Sequence, residues 1–446
     1  MKMIDAAGHA VSGANADGLA AFEQGAHELR CFIGDPVASV DSALDTSPQM
    51  VMAHALKAYL HLLGTEPAGL PVAREYYEAA IKLPANDRER QHLEAIRLLT
   101  DGRWRDAGRT LEDLSVVYPR DALALQAGHQ IDFFTGDSRM LRDRIARALP
   151  TWSKGLPGYH AVLGMYAFGL EETGDYAQAE KQGRASVELE RRDGWGQHAV
   201  AHVMEMQNRL HDGIAWMRAD PDAWSHESFF AVHNWWHLAL YHLEVCEIDE
   251  VLRLFDGPIY GPRDGKRSTV ILEMVDASAL LWRMHLRGVD VGNRWDALAD
   301  NWAPFATEAN YAFNDLHAMM AFVGSHRIKL QQAVFEAQRA AMEGSGDNVA
   351  FTREVGHAAT RAIKAFGDGS YAETVGLLRP IRSYAHRFGG SHAQRDVLDL
   401  TLIEAAFRSG DQTLAAALAV ERITMRPHSP LARLFVARGR DLAQAA

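Results

Sequence analysis

Leu163-Gly164-Met165-Tyr166, then Gly174-Asp175-Tyr176-Ala177-Gln178-Ala179, then Ala185 and Leu189, is the stretch that decides the fold. Apolar and small residues recur at three- and four-residue spacing on both sides of Gly174, so each side reads as a helix with one apolar face. Gly174 supplies the break, and the small residue at 179 allows close helix-to-helix contact. The same break recurs at Gly102-Arg103-Trp104, Gly136-Asp137-Ser138, Gly369-Ser370-Tyr371 and Gly410-Asp411-Gln412. Gly102 and Gly136 are 34 residues apart, and the next interval, to Gly174, is 38. A second good copy runs from His92 through Gly102-Arg103-Trp104 and Ala107 to Tyr118-Pro119.

A period near 34 is that of the tetratricopeptide helix–turn–helix repeat. Helical spacing continues from Leu19 almost to the end without a convincing run of alternation, so the chain is expected to be all-α. The expected architecture is a tetratricopeptide-like α-α superhelix, a solenoid of about ten to eleven helix pairs curled around a central cavity. The pairs are placed at 19–45, 49–84, 87–118, 121–149, 157–191, 194–219, 227–256, 268–302, 311–342, 349–385 and 391–422. Residues 256–268 and 343–348, rich in Gly with Pro or Asp, read as long turns within one domain, 1–446. A flexible N-terminus (1–18) and a C-terminal tail (436–446) complete it.

The 446 residues are 48% hydrophobic, ample for a large core, and 23% charged, an ordinary figure for a folded chain. A net charge of −12 and the absence of any basic run argue against nucleic-acid binding. Cys31 and Cys246 lie far apart, fit neither a disulfide framework nor a zinc ribbon, and suit a reducing cytoplasm. Asp5 interrupts the start of the chain, which lacks the apolar core of a signal peptide, and no apolar run approaches the ~20 residues needed to span a bilayer. The expectation is a cytoplasmic protein without membrane contact, with a homodimer as the base-rate oligomer.

The polar residues are unevenly placed. His233 and His237 stand one helical turn apart in Phe229–Glu244, and His198, His202 and Glu205 repeat that arrangement some thirty residues earlier. Such pairs form either a polar site between neighbouring helices or core histidines satisfied by local partners; two together favour a site. Of the 21 histidines, His129, His160, His198, His202, His233, His237, His317, His357 and His392 all fall in first helices, which line the concave surface of such solenoids. Asn314, Asp315 and His317 form a third group. His392, Arg395 and Asp396, after Gly389-Gly390 and the N-cap Ser391, read as an ion-pair or hydrogen-bonded triad. Glu273, Asp276 and Arg283 read as an intrahelical salt bridge beside Trp282.

Taken together, Gly196-x-His198-Ala-x-x-His202-x-x-Glu205, His233-Asn234-x-Trp236-His237-x-Ala-Leu-Tyr241, Asp276-Ala-x-x-Leu-Leu-Trp282-Arg283, Asn314-Asp315-x-His317-x-Met319, Ser391-His392-x-Gln394-Arg395-Asp396 and Arg426-Pro427-x-Ser429-Pro430 resemble the tetratricopeptide repeat protein 38 family, over residues 20–435. The resemblance implies an all-α, tetratricopeptide-like protein and carries no reaction. The polar residues themselves suggest an enzyme, a hydrolase using His/carboxylate acid–base chemistry on a small molecule in the concave cavity. His202, Glu205, His237, Asp315, His317 and His392 are the candidate catalytic residues, with His202 or His237 as base and Glu205 and Asp315 as orienting carboxylates. His198, His233, Asn234, Trp236, Tyr241, Asn314, Arg395 and Asp396 are candidate substrate contacts, and His392 with Arg395 a candidate anion clamp. No cofactor is expected. A divalent metal such as zinc would take His198, His202, His233 and His237, although neither His-x-x-x-His pair carries the Glu that the zinc-protease pattern places after its first His. Nucleotide chemistry is not supported, since neither a Walker loop nor a dinucleotide fingerprint is present. The alternative function is a peptide- or protein-binding scaffold, which would leave its titrating groups unperturbed.

Overall fold

The computed structural model describes residues 3–445, with side chains to residue 440, and their regular secondary structure is helical apart from one two-stranded hairpin. The chain forms two compact units. The first comprises the chain up to Val203 together with Asp220–Asn234, and the second comprises Met204–Ala219 and the chain from Trp235 on.

Five helix pairs make most of the first unit: Ala16–Cys31 with Pro36–Thr46, Val51–Leu62 with Gly69–Ala80, Asp87–Thr100 with Trp104–Val117, Ala122–Phe134 with Ser138–Ala148, and Tyr159–Glu171 with Tyr176–Leu189. The second unit contains Ile271–Leu286 with Arg294–Trp302, Ala312–Gly324 with Ile328–Met342, His357–Gly367 with Tyr371–Ile381, and His392–Ser409 with Gln412–Met425, followed by Pro430–Ala445. Helices Gly194–Met206 and Ala231–Glu244 each begin in the first unit and end in the second. The helix pairs follow the sequence pattern, and the last helix replaces the expected C-terminal tail.

The recurring Gly-Asp break has two physical parts. Gly136 (φ 70°) and Gly174 (φ 87°) sit in the left-handed region, where a side chain would be strained. The Asp that follows each one caps the next helix, since Asp137 accepts from the Met140 amide and Asp175 from the Gln178 amide. Close packing then needs small residues: a Cβ at Gly183 would lie 2.6 Å from Val200 Cγ2. Leu56, Leu93, Ile96, Leu99 and Leu111 belong to the continuous apolar core built from the first pairs.

The N-terminus departs from expectation. Met3–Ile4 pairs antiparallel with Ala10–Val11, and the hairpin is tied down by Ser12 N–H to Glu89 Oε1 (2.7 Å) and Asn86 Nδ2 to the Ala10 carbonyl (3.0 Å). Val11 is buried and the first helix starts at Ala16, so the segment expected to be flexible is ordered from residue 3; residues 1–2 lie outside the described residues. No helix among the described residues is long and apolar enough to cross a membrane.

Candidate functional site

In the first unit, helix Gly194–Met206 presents Trp195, His198 and His202 along one stripe, and helix Ala231–Glu244 contributes His233 from its first turn. His233 Nε2 lies 3.1 Å from His198 Nε2, and the His198 and His202 rings are 4.3 Å apart. Phe168 stacks on His198 at 5.3 Å, while Trp195 and Phe230 flank the same ring at 4.9 and 5.2 Å. Glu171 Oε2 approaches His202 Nδ1 to 3.5 Å, both groups being fully buried. Asn234 Nδ2 donates to the Gly194 carbonyl at 3.2 Å, which ties the two helices together beside the imidazoles.

This cluster has the makings of a cation site. One nitrogen from each of His198, His202 and His233 lies within 4.8 Å of the others, and the 3.1 Å between His198 and His233 is near the ~3.3 Å separation of nitrogen ligands around a tetrahedral zinc. Glu171, Glu172 and His202 form a second group on the same scale. A third, His27, Cys31 and His160, is chemically poorer. Burial, with the negative charges of Asp193 and Glu190, pushes the Cys31 thiol far above its usual range, and His160 Nδ1 is engaged by Asp193 at 2.7 Å.

The second unit holds a different constellation. His237 Nδ1 and Glu205 Oε2 are 2.9 Å apart, and the imidazole is fully buried. Glu205 also lines a recess with Tyr241, Arg283, Asp396, Arg422 and Arg426. The recess measures about 440 Å³ including its open mouth. Arg422 bonds both oxygens of Asp396. Burial would raise that carboxyl, but Arg422, Arg426 and Arg283 together outweigh it and hold Asp396 well below the usual carboxylate range. Arg426 donates to the Glu205 carbonyl at 3.2 Å.

Arg283 is the unusual member. Its guanidinium donates to the carbonyls of Ala393 (2.7 Å) and Ala279 (3.1 Å), lies over the Trp236 ring at 5.3 Å, and has no carboxylate partner among the described residues. Burial lowers its pKa to about 10. The salt bridge expected within its own helix is therefore absent, and Glu273 is bonded by Arg263 instead, at 3.2 Å.

Other predicted residues fall elsewhere. Asp315 accepts from Gln338 Nε2 at 3.2 Å, and burial raises its carboxyl to about 7. His317 Nδ1 donates to the Phe313 carbonyl at 2.8 Å, and burial lowers it to about 4. These two share a helix but bond to different partners. Asn314 is buried beside them, Trp236 and Tyr241 are fully buried, and the Tyr241 ring packs where a Cβ at Gly213 would lie, 2.4 Å away. His392 is exposed at the start of its helix, Arg395 donates to the Gly390 carbonyl, and Asp396 bonds Arg422 of the following helix.

Sequence reasoning missed Arg283, Arg422 and Arg426 as site residues. The available signal was Arg426 in the terminal motif together with Arg422 one turn before it. No family model matches the chain.

Proposed function

We propose that the protein is a small-molecule hydrolase in which His237 and Glu205 carry the acid–base chemistry. The observation that supports it is the 2.9 Å contact between His237 Nδ1 and Glu205 Oε2. A carboxylate on Nδ1 fixes that nitrogen as the donor and leaves Nε2 as the basic one. His237 then takes a proton from water as the water oxygen adds to the reacting centre, and returns it to the leaving group as the bond breaks. Glu205 is a positioning residue. Arg283 and Arg426, neither with a carboxylate partner among the described residues, favour an anionic group on the substrate.

The scaffold alternative is less well supported, because it expects unperturbed titrating groups and several buried ones here are shifted. The three-imidazole cluster of the first unit favours a second form of the enzyme reading, in which a bound divalent cation polarises the substrate. The motif resemblance to the tetratricopeptide repeat protein 38 family is compatible with both forms.

The test is a hydrolysis screen of small anionic esters, amides and phosphoesters with wild type, His237→Asn and Glu205→Gln, accompanied by thermal melts and elemental analysis. Loss of turnover by about 10²- to 10⁴-fold in His237→Asn, with its melt preserved, is expected. A collapse of the melt in both variants, with no substrate turned over by wild type, would sink the proposal. Stoichiometric zinc, manganese or iron, removed by chelator together with activity, would select the metal-assisted form.

A further inference from the structure

Three imidazoles of the first unit converge: His198 and His202, one turn apart on helix Gly194–Met206, and His233 from the first turn of helix Ala231–Glu244. Zinc–nitrogen bonds of about 2.0–2.1 Å at tetrahedral angles place imidazole centroids ~5 Å apart. The His198 and His233 centroids are 4.9 Å apart, and those of His198 and His202 are 4.3 Å apart, so the second pair opens slightly to admit an ion. A single Nε2–H to Nε2 bond would join His198 to His233 at 3.1 Å, but it does not require a third imidazole beside them.

The surroundings hold the rings and choose their tautomer. Glu171 Oε2 stands 3.5 Å from His202 Nδ1, which favours the proton on Nδ1 and leaves the lone pair on Nε2. Phe168 packs against His198 and His202 at 5.3 and 5.2 Å, and Phe230 against His198 and His233 at 5.2 and 5.1 Å. The Asn234 bond to the Gly194 carbonyl fixes one helix against the other. His198 and His202 are buried, whereas His233 is only partly so, which gives the cluster one side that an ion can reach.

We infer that His198, His202 and His233 bind a zinc ion through Nε2, with Glu171 as a positioning residue on His202 Nδ1 and a fourth position left for water or a substrate oxygen. Three neutral nitrogens without a thiolate suit a borderline divalent cation, whereas magnesium and calcium take oxygen ligands. A carboxylate on the far nitrogen makes its imidazole a stronger ligand. This deepens the cation-assisted form of the hydrolase reading, and rests on that reading for the use made of the ion but not for its binding.

The experiment strips the full-length protein with chelator, dialyses it against zinc, cobalt(II) or magnesium in turn, and reads bound metal by elemental analysis and cobalt by its visible spectrum. Wild type is expected to retain stoichiometric zinc, to show the strong visible bands of tetrahedral cobalt(II), and to retain no magnesium. His233→Asn, at the partly exposed position, is expected to lose the zinc while melting near stripped wild type. Glu171→Gln is expected to bind zinc about 10- to 100-fold more weakly in competition with chelator, with the cobalt bands kept. No stoichiometric zinc in wild type, equal zinc in His233→Asn, or an octahedral cobalt spectrum overturns the inference, and unchanged zinc affinity in Glu171→Gln overturns the positioning role. If Glu171→Gln fails to fold, the His233→Asn result decides. Zinc held by a protein that hydrolyses nothing upholds the site and sinks the hydrolase reading; hydrolysis by a protein that takes up no zinc overturns the site and leaves the His237–Glu205 reading.

Discussion

Asp132 in the first unit and Asp396 in the second are both carboxylates gripped by an arginine through two hydrogen bonds. Arg144 reaches Asp132 at 2.7 and 2.8 Å, and Arg422 reaches both oxygens of Asp396. Their ionisation nevertheless goes opposite ways. Burial raises Asp132 to about 6 despite Arg144, with Asp137 and Glu112 adding to the rise. Burial is again the largest single influence on Asp396, yet Arg422, Arg426 and Arg283 together overcome it. Both units bury charge, but Asp132 meets a single guanidinium where Asp396 meets three. At Asp132 one guanidinium does not offset desolvation, whereas at Asp396 three together do.

Removing one arginine from each pair breaks or sharpens that contrast. Arg422→Met is expected to cost about 3–5 kcal/mol, because a low-pKa carboxylate loses its partner in a buried site. The cost is expected to be flat from pH 6 to 8, where Asp396 is ionised folded and unfolded. Arg144→Met is expected to behave differently. Asp132 can take up a proton, so its cost is smaller near pH 5 and grows as pH rises through 6, where wild-type Asp132 ionises and the variant's does not. Urea denaturation of both variants across that range reads the difference. Parallel pH profiles would show that the number of neighbouring guanidinia does not set the ionisation.

A second test lies in helix Ala312–Gly324. Asp315 is raised to about 7, so its neutral form is favoured by folding and its effect on stability becomes unfavourable as pH rises from 4 to 7. His317 is lowered to about 4, so it stays neutral when folded and costs stability as pH falls from 6.5 to 4. Across the shared window the folded chain holds the Asp proton and the unfolded chain the His proton, so the two slopes nearly cancel. Asp315→Asn removes one of them. The variant is expected to gain up to about 4 kcal/mol at pH 8, and its stability should now rise with pH between 4 and 6.5. His129, lowered to about 3, and Asp132 form the same compensating pair in the first unit. A profile for Asp315→Asn that overlays wild type would remove the compensation from the second unit.

The helix pairs were legible because each break is written locally, in a Gly with positive φ and an Asp that caps the next helix. The carboxylate partner of His237 was legible for a similar reason, since Glu205 lies on the face that already carried His198 and His202. The arginine recess was not. Arg283, Arg422 and Arg426 come from distant segments, and nothing in the local spacing of Glu273, Asp276 and Arg283 shows that the guanidinium turns to the carbonyls of Ala393 and Ala279. The N-terminal hairpin was illegible too, because strands of two residues carry no alternation and its anchors, Asn86 and Glu89, lie some 75 residues on.

Those anchors give the smallest and most local test. Each unit has a reciprocal helix cap. Asn86 accepts from the Glu89 amide at 3.1 Å while Glu89 accepts from the Asn86 amide at 2.8 Å; Ser391 and Gln394 do the same at 3.2 and 3.0 Å. Ser391→Ala removes a cap alone and is expected to cost about 1 kcal/mol. Asn86→Ala removes a comparable cap and also the bond from Nδ2 to the Ala10 carbonyl, while its partner Glu89 still receives the Ser12 amide. Its cost is expected to be larger by about 0.5–1.5 kcal/mol, the net contribution of one further hydrogen bond. Hydrogen exchange separates the two contributions: amides of residues 3–11 should lose protection in Asn86→Ala and keep it in Ser391→Ala. Equal costs with unchanged protection would mean that burial of Val11 and the Glu89 contact suffice to hold the hairpin, and that the asparagine serves its helix only.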